Sequence, residues 1–244
     1  MNPHKEKGIM NLLGAHRGRD IFIVGTGTSL ARFKFEKLNR RITIALNDAL
    51  MIPGFVPKYH IFADIGIWKR YRNLEIDPSI KIICQPKARG YFQSHTACKF
   101  KDQIWHFNHV CEVRAMKDHN NDLYVQRTVA TAGICLAWKF GANRIFLLGV
   151  DGFKLKDSYY WDGSVKPKER RPSEREDKEG RIVQDRHGWW QKNMKDLRAH
   201  FDKKKLYPGP WRGSGIYNLS WNSTIDSWQK VKVKNVLGSG CFKV

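Results

Sequence analysis

Two groups of side chains in this sequence have the types and spacing to do chemistry, and they stand far apart along the chain. The first is a turn, Gly25-Thr26-Gly27-Thr28-Ser29, directly after the apolar run 21–24. Glycine permits close backbone approach to a ligand, and a helix opening after such a turn offers unpaired N–H groups to an anion. The second is His187, with the phenols Tyr159 and Tyr160 ahead of it. An imidazole titrates near working pH and accepts a proton from a hydroxyl; phenol hydroxyls and backbone N–H groups stabilise negative charge on a departing phosphate without a metal. Transfer from a nucleotide-sugar needs that division of labour. Each group also has a plainer reading. The turn lacks the Gly-Lys-Ser/Thr of a triphosphate loop, and Leu30 stands where a dinucleotide fingerprint has its third glycine, so an ordinary strand-turn-helix accounts for it too. His187 is equally a surface histidine at a helix start, and Tyr159-Tyr160-Trp161 a packing cluster.

The metal ligands are less orderly. Five cysteines, Cys84, Cys98, Cys111, Cys135 and Cys241, form no CxxC pair, which argues against both a disulfide framework and a ribbon-type zinc site. Cys98, His106, His109 and Cys111 are donors of the right kind for zinc. Their spacing fits no common finger, however, and the stretch around the histidines alternates like a strand, so the expectation is buried cysteines, ordinary histidines and no metal.

Strand-like and helix-like runs alternate through the first 150 residues, an order that implies parallel strands with helices on both faces of the sheet. Strands are expected over 21–24, 42–46, 59–63, 80–84, 104–107, 145–150 and 216–219, with a short helix over 29–39. Val129, Ala132, Gly133, Leu136 and Phe140 fall at helical spacing before Gly141, and the apolar run 145–150 follows; this reads as a buried helix feeding a central strand that ends at Asp151. Residues 163–181 hold seven basic and five acidic residues and little that is apolar, which predicts a mobile surface loop. Met194, Leu197 and Phe201, with Trp190, mark a later helix face. In an open parallel sheet, ligands collect at the C-terminal ends of the strands. That rule gathers 25–29, Asn47, Asp48, Asp64, Asp151 and the loop 220–224 on one rim.

The segments IFIVGTGTSL, ITIALNDAL, PKYHIFAD, TVATAGICLAWKFGANRIFLLGVDGF and SYYWDG occur in this order over roughly residues 20–225. The series resembles the bacterial sialyltransferases of glycosyltransferase family 42, and a related family that includes archaeal 6-hydroxymethylpterin pyrophosphokinases. The resemblance implies a Rossmann-like sheet with a lid inserted late, at about 155–187, and a CMP-sugar donor used without a metal or other cofactor. By position it brings Gly25, Thr26, Gly27, Thr28 and Ser29 to the nucleotide, with Asn47 as a hydrogen-bonding partner and Asp64, Thr128 and Asp151 completing the pocket. It makes Tyr159 the group that receives the departing phosphate and His187 the base. Thr26 and Thr28 depart from the family's turn, which reads Gly-Asn-Gly-Pro-Ser or Gly-x-Gly-Pro-Ser.

The formal net charge is +21, from 44 Lys and Arg against 23 Asp and Glu. Such an excess brings self-repulsion and signals a polyanionic partner; solubility charge is the plainer reading. Four functions follow. A glycosyltransferase acting on hydroxymethylated bases in DNA uses the charge to hold the duplex and the aromatics Trp161, Trp189 and Trp190 to support an extruded base. A glycosyltransferase acting on phosphorylated lipopolysaccharide uses it similarly. A pterin-type pyrophosphokinase would need Mg²⁺ on Asp48, Asp64 and Asp151, and a nucleic-acid-binding module would need no catalysis. At 244 residues the chain is expected to form one domain, with a basic tail over 226–244. No apolar run approaches the roughly 20 residues of a membrane span, and the N-terminus lacks a signal-peptide core. The expectation is a cytoplasmic protein, at the membrane surface where the acceptor is lipid-linked, and a homo-oligomer is left open.

Overall fold

Ile21, Phe22, Ile23 and Val24 are all buried, because the strand they form has neighbours on both edges and packing on both faces. This strand is β1 (Asp20–Val24). The computed structural model describes residues 7–64, 66–67, 74–85, 100–126, 128–152, 154–155, 174–176, 181–184, 187–204, 215–220 and 223–242, with Lys101 and residues 154–155, 174–176, 181–184 and 187–190 described by backbone alone. In chain order β1 is followed by β2 (Ile42–Leu46), β3 (Tyr59–Ile61), β4 (Lys81–Cys84), β5 (Ile104–His106), β6 (Asn108–Val110), β7 (Asp122–Tyr124), α1 (Val129–Lys139) and β8 (Arg144–Leu148). Then come β9 (Lys154–Leu155), β10 (Glu174–Glu176), β11 (Arg181–Gln184), α2 (His187–Lys204), β12 (Ile216–Asn218), β13 (Gln229–Lys230) and α3 (Lys234–Leu237).

The main sheet has eight strands in the order β13-β12-β8-β1-β2-β3-β4-β5, and every neighbouring pair is parallel. This is the mostly parallel α/β architecture that the alternation of elements implies. Successive side chains of a strand leave on opposite faces, so each strand feeds two cores. On one face Ile21, Ile23, Ile44, Ile61 and Leu147 meet Ile134 and Leu136 of α1 and Met194, Leu197 and Phe201 of α2. On the other, Phe22, Val24, Ala45, Phe146 and Leu148 meet Leu30, Phe33, Phe35, Phe55 and Val233, with Phe22 stacked on Phe146 at 5.0 Å between ring centroids. Each such side chain taken from water stabilises the fold by about 1.5–3 kcal/mol.

α1 lies close to the sheet because Gly133 faces it: a Cβ there would stand 3.0 Å from Leu46 Cδ2 and 3.3 Å from Ile23 Cγ2. Thr128 caps the helix by accepting the Ala130 N–H at 3.2 Å. Its end is the expected one, with Gly141 at φ +79° and the Ala142 N–H reaching back to the Ala137 carbonyl at 3.2 Å, a wrap that favours glycine. The buried Lys139 ties down the loop that precedes β7, its Nζ donating to the carbonyls of Lys117, Asp118 and Asn120 at 3.0, 2.8 and 3.0 Å.

Three expectations change. The short helix over 29–39 is instead two 3-10 turns, Thr28–Leu30 and Phe35–Leu38, separated by Arg32 at φ +64°. Residues two apart on a regular helix face away from each other, whereas Phe33 and Phe35 are both buried in one cluster. The charged loop 163–181 contains β10 and the start of β11; β11 pairs with β10 on one edge and β9 on the other in a small antiparallel sheet. The basic tail from 226 is packed: β13 extends the sheet, and Trp228, Val233 and Cys241 are buried. These apolar residues alternate with lysines, so the charges stay in solvent while the backbone is held. Among the described residues no helix is long and apolar enough to cross a membrane.

Two buried histidines make this fold sensitive to acid. His60 is held down to about 4 by desolvation, against the raising influence of the Asn47 carbonyl and Asp48. His16 is lowered to about 4 by burial and by Lys58, Lys81 and Arg19; its Nε2 meets the Tyr59 hydroxyl at 2.8 Å. In the unfolded chain both titrate near 6.5. The unfolded state therefore binds more protons between about pH 4 and 6.5, and stability is complete above that window and falls as pH is lowered through it. Urea denaturation from pH 7 to pH 4 is expected to show this decline, and a His16→Gln/His60→Gln protein to show a flatter one.

Candidate active site

From β1 the chain proceeds to one side of the sheet, through β2 to β5, and from β8 to the other, through β12 and β13. The C-terminal ends of β1 and β8 are therefore the switch point, where the following loops diverge and leave a crevice. Two glycines let these ends meet. A Cβ on Gly25 would lie 2.4 Å from the Gly149 carbonyl oxygen, and one on Gly27 2.4 Å from Asp151 Cγ. The Gly25 and Gly27 N–H groups donate to the carbonyls of Leu148 and Gly149 at 2.8 and 2.9 Å. The close approach these glycines permit is to the neighbouring strand's end.

Asp151 is the centre of that contact, 3% exposed. Its Oδ2 accepts the Ser29 N–H at 2.8 Å and its Oδ1 the Ser29 hydroxyl at 2.5 Å. Its main-chain carbonyl accepts the Thr224 N–H at 2.8 Å and the Ser223 hydroxyl at 3.1 Å. Burial raises the pKa of this carboxyl, opposed by hydrogen bonds from Ser29, Ser220 and Thr28. A raised carboxyl pKa acts opposite to the two histidines: the stability it contributes at acid pH is lost as pH rises through the folded value. Ser29, Asp151, Ser223 and Thr224 thus form one hydrogen-bonded unit on this rim, and residues 221–222 lie outside the described residues.

The turn differs from a helix N-terminus. Ser29 gives its N–H to Asp151, and Leu30 and Ala31 close 3-10 bonds onto Gly27 and Thr28. One strand over, Asn47 follows β2 at φ +46°, and its buried Oδ1 has no hydrogen-bond partner. Its carbonyl accepts from His60 Nε2 at 2.9 Å. A buried acceptor left unpaired costs about 1–3 kcal/mol, and a ligand N–H would satisfy it. Asp64 is exposed, its Oδ1 turned back to the Gly66 N–H at 2.7 Å, and Thr128 is occupied as the cap of α1.

α2 reaches the same rim. Gln191, in its second turn, donates from Nε2 to the Thr224 carbonyl, and Thr224 is bonded to Asp151. His187 opens this helix, four residues before Gln191. Tyr159, Tyr160 and Trp161 lie outside the described residues, as do the side chains of His187, Trp189 and Trp190. Sequence reasoning missed Gln191 and His60, because nothing local marks a glutamine that meets a loop or a histidine that meets a strand end. Gly149, at φ +64°, was legible as a glycine closing an apolar run.

Of the four candidate zinc donors, His109 and Cys111 stay together, with Nε2 3.6 Å from Sγ, while His109 Nε2 also meets the Val125 carbonyl; His106 Nδ1 lies 3.9 Å from Cys84 Sγ, and Cys98 lies outside the described residues. Among the described residues no three His, Cys, Asp or Glu side chains form a group able to hold a metal.

No protein-family model matches the chain, and no curated protein sequence matches it significantly. Among solved structures, the MAf glycosyltransferase from Magnetospirillum magneticum AMB-1 aligns with a TM-score of 0.57 at 15% identity, over 95% of this chain and 36% of that one. This likeness shows a shared fold, and the chain spans little more than a third of that protein's length. The sialyltransferase CstII from Campylobacter jejuni, in complex with a substrate analogue, cytidine-5′-monophosphate, aligns with a TM-score of 0.46 at 15% identity, over 88% of this chain and 85% of that one. That likeness is too distant to assign anything here.

Two substitutions separate the clasp from ligand binding. Gly25→Ala drives a methyl into the Gly149 carbonyl, which is backbone and cannot swing aside, and is expected to destabilise the fold by about 1–3 kcal/mol. Asp151→Ala strands the Ser29 N–H and is expected to cost about 2–3 kcal/mol. Chemical denaturation of both proteins without ligand checks this; unchanged midpoints would show that the contacts carry no stability.

Proposed function

We propose that the protein is a glycosyltransferase that moves a sugar from a nucleotide-sugar to a hydroxyl on a polyanionic acceptor. The observation that carries this reading is the buried Asn47 Oδ1 without a hydrogen-bond partner, which follows β2 beside the turn after β1 at the switch point. An unpaired amide acceptor at a strand end suits a nucleotide, whose base carries N–H groups. The fold shared with a glycosyltransferase over 95% of the chain supports the same class.

In this reading Gly25, Gly27, Ser29 and Asp151 shape the floor of the donor site and do not themselves bind phosphate. Asn47 holds the base or ribose, with Asp64 and Thr128 at the margins. His187, at the start of the helix anchored to Thr224, takes the proton from the acceptor hydroxyl, which makes that oxygen the nucleophile at the sugar's anomeric carbon. The bond to the donor phosphate breaks, and Tyr159 and Tyr160 donate to the departing phosphate oxygens. The net charge of +21 favours an acceptor that carries phosphates, with hydroxymethylated DNA ahead of a phosphorylated lipopolysaccharide core. The diphosphate-transfer alternative needs rim carboxylates for Mg²⁺, and Asp151 already gives both oxygens to Ser29.

Incubation with individual nucleotide-sugars, with and without EDTA, is expected to release nucleotide in both conditions. Release that EDTA abolishes would overturn the metal-independent chemistry, and failure to bind any nucleotide-sugar would overturn the proposal. His187→Ala is expected to lower transfer at least a hundredfold while donor affinity stays within about twofold. Full activity in that protein would remove His187 as the base.

A further inference from the structure

The opposite end of the sheet carries a second feature that the donor site does not use. Four adjacent parallel strands each begin at a cation: Arg19 precedes β1, Arg41 precedes β2, Lys58 precedes β3, and Lys81 opens β4. Neighbouring strands lie about 4.8 Å apart, so these residues form a row along the N-terminal edge. An open cavity of about 640 Å³ lies on this edge, lined by Arg17, Arg19, Arg40, Arg41 and Lys58 together with His16, and no acidic residue lines it.

Like charges at this spacing repel, and a solvated basic face would relieve the repulsion by interleaving carboxylates. Asp20, which follows Arg19 in the chain, is instead held by Arg144, with Nε to Oδ1 at 2.9 Å and Nη2 to Oδ2 at 2.5 Å. Arg40 adds a second sign of a built site. It sits at φ +66°, a conformation that glycine or asparagine adopts more readily than arginine, so the turn places a cation where local geometry favours another residue. His16 is lowered first by burial, and Lys58, Lys81 and Arg19 add to that lowering, in keeping with the same positive field.

We infer that this cavity is an anion site for a compact group carrying several phosphate charges, such as a pyrophosphate or a cluster of phosphomonoesters. Planar guanidinium groups match phosphate oxygens in pairs. A concave wall lined on several sides by cations suits a compact group better than a flat surface or a straight duplex. The site is distinct from the donor rim, which lies beyond the other end of β1, ~17 Å away for a strand of this length. It does not depend on the proposed catalysis.

The test titrates sodium tripolyphosphate into the full chain by calorimetry at low salt, using the parent protein, Arg40→Gly, Arg17→Ala/Arg41→Ala, and, on α2, Lys203→Ala as the control that matches the single charge removed in Arg40→Gly. Arg40→Gly relieves the turn conformation, so its melting temperature is expected to hold or rise and its loss of binding reads the charge. Saturable binding that weakens at least tenfold in both pocket variants and less than twofold in Lys203→Ala is expected. A second arm uses phosphatidylcholine vesicles containing phosphatidic acid. Retention on these vesicles that tripolyphosphate competes away and Arg40→Gly abolishes assigns the phosphates to a lipid headgroup; tripolyphosphate binding without retention assigns them to a free ligand. Equal weakening in all variants, no saturable binding, or duplex DNA binding that depends on Arg40 while tripolyphosphate does not bind would overturn the inference. Nucleotide-sugar affinity is read in the same variants, so failure of the donor site and failure of this pocket are told apart.

Discussion

A single buried carboxylate joins the ends of three central strands. Asp151 follows β8, receives the N–H and hydroxyl of Ser29 from the turn after β1, and through its own carbonyl holds the loop after β12. Taking a carboxylate out of water is costly unless its oxygens are hydrogen-bonded, and here both are. The clasp adds to the main-chain bonds from Gly25 and Gly27 to the carbonyls of Leu148 and Gly149, and together they keep the switch point closed at its floor. The glycines at 25, 27 and 149 follow from the same contact: each stands where a side chain would collide with the facing segment or with Leu30.

From that arrangement the two ends of the sheet take different chemistry. Polar main-chain groups, hydroxyls and one unsatisfied amide oxygen collect at the C-terminal end, as open parallel sheets generally place their ligands. Cations collect at the N-terminal end, one at each of four strand starts. The basic charge of the molecule is thereby partly resolved into a location, whereas composition alone left it as a broad face.

Much of this architecture was readable in advance. The apolar runs at 42–46 and 145–150 and the helical spacing from Val129 to Phe140 define elements by local pattern, and the structure forms strands and a helix at those places. Departures occurred where tertiary packing overrode pattern. Phe33 and Phe35 are drawn into one aromatic cluster, which breaks the expected helix. The segment with Glu174–Glu176 carries no apolar signal at all, and its strand exists through backbone pairing with Arg181–Gln184. The lysines of the C-terminal segment concealed the buried Trp228, Val233 and Cys241 between them.

The candidate site divides the same way. That residues 25–29, Asn47 and Asp151 stand at strand ends is a consequence of hydrophobic patterning and turn chemistry, and both are local properties that a sequence carries by itself. That Ser29 bonds to Asp151 across 122 positions, that Asn47 keeps an unpaired oxygen, and that Arg19, Arg41, Lys58 and Lys81 become neighbours was decided only in the folded chain. The reason is the strand order. A parallel sheet aligns the starts and ends of segments that are far apart in sequence, and no periodicity within one segment records which strand will lie beside it.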